Sequence, residues 1–92
     1  MKSHEILYLT IKRFELEQRA LRQDFAFDAY EYLSKKIGHK HPSTLRNMCQ
    51  PRERGGNAAK LGFDEAITIT METDDKRLFE FFRNEIGEPS GA

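Results

Sequence analysis

Apolar residues in the first quarter of the chain return at helical spacing. Leu7, Ile11, Phe14 and Leu21 are separated by four, three and seven positions, which predicts an amphipathic helix from Glu5 to about Arg22. Ile6, Leu9 and Leu16 widen its apolar face, while Lys12, Arg13, Glu15, Glu17 and Arg19 fall mostly elsewhere. A face this wide calls for more than one packing neighbour, and a second subunit is one candidate. Asp24 to Phe27 reads as a hinge. Asp28-Ala-Tyr-Glu31 then has the form of a capping box, with Asp28 accepting from the amide three residues on and Glu31 reaching back. It predicts a helix from Ala29 to Ile37 with Ala29, Leu33 and Ile37 inward. Asp24 is the alternative cap, one turn earlier. Gly38 supplies the left-handed stop.

Pro42 ends any preceding helix and leaves His41 extended. Ser43 is the expected cap of a short helix from Thr44 to about Gln50, closed by Pro51. Leu45, Met48 and Cys49 face inward, and Thr44, Arg46, Asn47 and Gln50 face out. Residues 51–60, PRERGGNAAK, form a polar connection. Ala66 to Met71, AITITM, alternates like a β-branched strand, yet Asp64-Glu65-Ala66 looks like a helix start. A lone strand without a partner is marginal, so a helix over Asp64–Glu72 is preferred. Thr73 or Asp74 caps a last helix reaching about Ile86, with Leu78, Phe79, Phe81 and Phe82 as its apolar face. Gly87 stops it, and residues 87–92 are expected to be disordered. The expected architecture is all-α: one domain over 1–92, a compact bundle of about five helices.

Charge changes this picture more than composition does. Formal net charge is zero, but residues 35–60 carry seven basic side chains against one acid, and residues 61–92 carry three against eight. The middle is basic and the C-terminal part acidic, which gives the surface a sign preference hidden by the sum. Cys49 is the single cysteine, so no internal disulfide forms and a reducing, cytoplasmic setting fits best. No apolar run approaches a membrane span, and the charged N-terminus does not read as a secretory leader.

Little points to catalysis. His4, His39, His41 and Cys49 lack the paired spacings of a structural metal site, so no metal is expected. No phosphate loop, dinucleotide fingerprint or nucleophile–base pair is present. Neither an enzyme nor a cofactor is expected.

The segment Leu33–Arg52 suits double-stranded DNA. Two short helices joined by a glycine-containing turn can seat the second in the major groove. Arg46 can read guanine or hold a phosphate, and Asn47 or Gln50 can pair with adenine. Lys35, Lys36, Lys40, Arg52 and Arg54 flank that helix as phosphate contacts. His39 and His41 are further backbone donors, and Ser43 would leave amide groups near an anion.

Leu33-Ser34-Lys35-Lys36-Ile37-Gly38 followed by Thr44-Leu45-Arg46-Asn47-Met48, with Pro51 behind, resembles the helix-turn-helix of CII-type regulatory proteins of temperate phages, and more broadly phage repressor-like domains. The likeness covers about residues 28–82. It implies a helix-turn-helix over about 28–50 and a sequence-specific, cytoplasmic transcriptional regulator acting by operator or promoter occupancy. It assigns base reading to Thr44, Arg46, Asn47 and Gln50, and phosphate binding to Lys40, Ser43 and Arg52. The turn between Gly38 and Leu45 is longer than the family's and contains Pro42. A homodimer is expected, through the first helix at residues 6–21. The competing reading is a protein-interaction module, such as an antirepressor or an inhibitor of a DNA-binding partner. It would use the acidic, aromatic C-terminal half around Phe79 and Phe82.

Overall fold

The structure is a computed structural model, and it describes residues 3–50 and 61–85. Five helices follow in order: α1 (Ser3–Arg22), α2 (Ala29–Lys36), α3 (Pro42–Met48), α4 (Phe63–Thr73) and α5 (Arg77–Glu85). No strand occurs among the described residues. The expectations for Pro51, the 51–60 connection, Gly87, the 87–92 tail and the Phe82 side chain lie outside what is described.

In α1 the buried stripe is narrower than its apolar positions suggest. Ile6, Leu7, Ile11 and Phe14 are buried together with Thr10 and Glu15. Leu9 and Leu16 are 37% and 56% exposed, and Leu21 is 78% exposed. A 20-residue helix spans about 30 Å and outruns its eight-residue neighbour α2; on its last turn Arg19 and Arg22 reach Phe27 while Leu21 stays in solvent. Glu15 is buried at the α1–α2 junction. It accepts from the Ala29 amide at 3.1 Å and pairs with Arg19 at 3.3 Å, so its charge is compensated.

The helix ends follow capping chemistry. Gln23 (φ 53°) terminates α1: its amide donates to Ala20 O, and the Asp24 amide to Arg19 O. Gly38 (φ 78°) repeats the device after α2, with its amide donating to Lys35 O and the His39 amide to Ser34 O. Both are Schellman ends. Asp28 caps α2, its Oδ1 accepting from the amides of Tyr30 and Glu31. Glu31 pairs with Lys35 at 3.3 Å. Asp24 orders the preceding turn instead, through its bond from the Ala26 amide.

The boundaries of α3 and α5 differ most from expectation. α3 begins at Pro42, with extended His41 as its N-cap and no side-chain cap. Proline is favoured at a first helical position, where its missing N–H costs nothing. Ser43 therefore sits inside the helix and does not cap it, and Gln50 lies past the end. α5 is preceded by Asp75, whose carboxylate accepts from the Arg77 amide at 3.1 Å. Thr73 belongs to α4, and Asp74 takes the left-handed conformation after it.

The 66–71 segment is helical, as preferred. The threonine hydroxyls of α4 are satisfied by donating to a carbonyl one turn back: Thr68 to Asp64, Thr70 to Ala66, Thr73 to Ile69. Glu65 accepts from the Gly62 amide at 2.8 Å and secures the start of α4.

Leu7, Ile11, Leu33, Leu45, Ile69 and Leu78, drawn from all five helices, are fully buried in one core. α1 packs on α2, α4 and α5, and α4 on α5. α2 makes its most extensive contact with α3. That contact fixes the site considered next.

Candidate nucleic-acid interface

The short helix α3 is held by its apolar side. Leu45 is completely buried, and Met48 and Cys49 are nearly so. Burial pushes the Cys49 thiol up to about 12, opposed by a hydrogen bond with Tyr30. The thiol is thus protonated at neutral pH and acts as a core group. With those residues turned inward, Ser43, Thr44, Arg46 and Asn47 are exposed together, and Gln50 is half-buried beyond the helix end. In the turn, Lys40 and His41 are exposed, and Lys40 makes no ion pair among the described residues.

The other basic residues are more engaged than a list of charges suggests. Lys35 is tied to Glu31 on its own helix. Lys36 reaches Glu72 of α4 at 3.5 Å and lies over the Tyr32 ring. It belongs to the α2–α4 side. His39 was an expected DNA contact. Instead its side chain is only 16% exposed and its Nε2 bonds the Glu65 carboxylate. The turn is thereby pinned to α4, with His39 Nε2 engaged by Glu65. Arg52 and Arg54 lie outside the described residues.

Arg46 has the most elaborate surroundings. Its Nη2 donates to Asp28 Oδ2 at 3.1 Å, and its guanidinium carbon stands 4.9 Å from the centre of the Tyr30 ring. Both partners come from the start of α2. Neither contact was foreseen, because Asp28 and Arg46 are 18 positions apart and meet only when α2 and α3 are packed. A capping aspartate whose second oxygen is free was the one available signal.

Elsewhere, α4 and α5 border an open groove of about 460 Å³ lined by Ile67, Met71, Phe79 and Lys76 among others. Phe63 and Met71 are exposed near it. Among the described residues no group of three or more His, Cys, Asp or Glu is placed to hold a metal, and no helix is long and apolar enough to cross a membrane. The chain matches no family model, no curated protein and no solved structure.

Proposed function

We propose that the protein is a sequence-specific DNA-binding transcriptional regulator of the phage repressor-like kind, with α2, the 37–41 turn and α3 as its helix-turn-helix. The observation that carries this reading is the division of α3. Its apolar residues are all spent on the core, and Ser43, Thr44, Arg46 and Asn47 stand out together beside Lys40, which has no ion pair among the described residues. A helix presented this way fits the major groove, where amide, hydroxyl and guanidinium groups distinguish base pairs. Thr44, Arg46 and Asn47 take the base-reading role, with Gln50 at the edge of that surface. Lys40 and Ser43 take the phosphate role, joined by Lys35 once Glu31 releases it.

Homodimerisation through α1 belongs to the same reading. Tyr8, Leu9 and Leu16 are exposed there, and a dimer would set two copies of α3 about one duplex turn apart. A monomer by sedimentation velocity, at concentrations where DNA is bound, would remove that part.

The exposed Phe63 and Met71 beside the α4–α5 groove favour a second reading, a protein-interaction module working through the C-terminal half. Fluorescence anisotropy with random-sequence duplex DNA separates the two. The DNA reading expects binding that weakens steeply between about 50 and 200 mM salt, and a Lys40→Ala variant whose salt slope is lower by about one. Absence of binding at the low-salt end, from folded protein, would overturn it in favour of the second.

A further inference from the structure

We infer that Asp28 and Tyr30 are positioning residues that make Arg46 a reader of guanine and not a phosphate contact. The inference rests on the DNA-binding reading and deepens it. Three observations from the start of α2 carry it. Asp28 is immobilised, because its Oδ1 accepts from the Tyr30 and Glu31 amides at 2.9 and 3.3 Å. Its remaining oxygen, Oδ2, holds Arg46 Nη2 at 3.1 Å. The Tyr30 ring lies against the guanidinium at 4.9 Å. One edge and one face of the guanidinium are therefore fixed, while the Arg46 side chain remains 51% exposed.

Charge decides what such an arginine can recognise. A phosphate contact draws on an uncompensated cation. The Arg46–Asp28 pair has no net charge, and a phosphate oxygen brought to it would also approach the Asp28 carboxylate. What the pair offers is direction. One guanidinium N–H is in use, and four of the five are left. Two of these can meet O6 and N7 of guanine, a neutral edge that no carboxylate repels. Fixing the side chain in advance also lowers the rotamer entropy lost on binding. Lys40, exposed and without an ion pair among the described residues, has the opposite character and suits the phosphate.

The test is selection of preferred sites from a random-sequence duplex pool, with anisotropy on the unselected pool alongside. The variants are Asp28→Asn, Arg46→Lys and Arg46→Ala. Asparagine caps a helix as well as aspartate does, so Asp28→Asn should fold, and circular dichroism verifies it. The wild type should select a site with a guanine position that Arg46→Ala erases. Asp28→Asn should weaken that preference about tenfold. It should also tighten binding to the unselected pool and steepen its salt slope by about one, because the Arg46 charge is released. Arg46→Lys should lose the preference and keep pool binding.

An unchanged guanine preference in Asp28→Asn would overturn the positioning role. A lower salt slope in Arg46→Ala, with every base preference intact, would make Arg46 a phosphate contact. Both results leave the DNA-binding reading standing. A wild type that binds no duplex would overturn that reading and this inference with it.

Discussion

Single residues in this chain do more than their positions in sequence announce. Asp75 is nearly fully buried between α5 and α1, where it bonds the Arg77 guanidinium at 2.8 Å and Arg13 at 3.2 Å. The hydrogen bond from Arg77 comes first among the causes that hold its carboxyl below the usual range; burial opposes it, and Arg13 assists. A folded-state pKa below the unfolded one gives stability that is present above the unfolded value of about 3.9 and is lost as pH falls through the folded value. Wild-type stability should therefore drop more steeply below about pH 4 than that of Asp75→Asn. Urea unfolding followed by circular dichroism at neutral and acid pH measures the difference, and parallel pH profiles would contradict it. From sequence, Thr73 and Asp74 looked like the capping residues. Several adjacent polar side chains satisfy the same local rule, and the contact with Arg13, 62 positions away, selects among them.

At the scale of elements, what could be read in advance was what local chemistry fixes. Asp28 as the cap of α2, Gly38 as its left-handed stop and the inward trio Leu45, Met48 and Cys49 are all found where expected. At the start of α3 the proline itself occupies the first helical position, so Ser43, the cap that the sequence suggests, sits inside the helix. Gln23 could not be foreseen as the left-handed end of α1, since no glycine marks it. The 66–71 segment reads ambiguously because threonine and isoleucine are β-branched, and the helix is held by packing, with Ala66 and Ile69 buried in the core. Gly38 offers a clean test of the turn. A methyl group there would meet nothing within 4 Å, so any cost comes from the backbone at φ 78°. Gly38→Ala should lower stability by about 1–2 kcal/mol, seen as a shifted urea midpoint with an unchanged m value. A wild-type midpoint would mean that this turn is not held left-handed in solution.

For the whole molecule, the basic run of the sequence overstates the field that the fold presents. Lys35, Lys36 and Arg46 are matched by Glu31, Glu72 and Asp28, all three acids lying outside the run itself. Among the expected contacts in described residues, Lys40 is the one lysine without an acidic partner. Charge counting cannot see partners contributed by other helices. The base-reading candidates Thr44, Arg46 and Asn47 are brought to one exposed side of α3, while His39 is half-buried against α4. The proposal that α3 faces DNA is tested most directly by titrating isotopically labelled protein with duplex DNA and following its backbone amide resonances. The account predicts the largest shifts at Lys40–Asn47, with amides of α4 and α5 nearly still. Shifts centred on Phe63, Met71 and Phe79, or none at any DNA concentration, would contradict it.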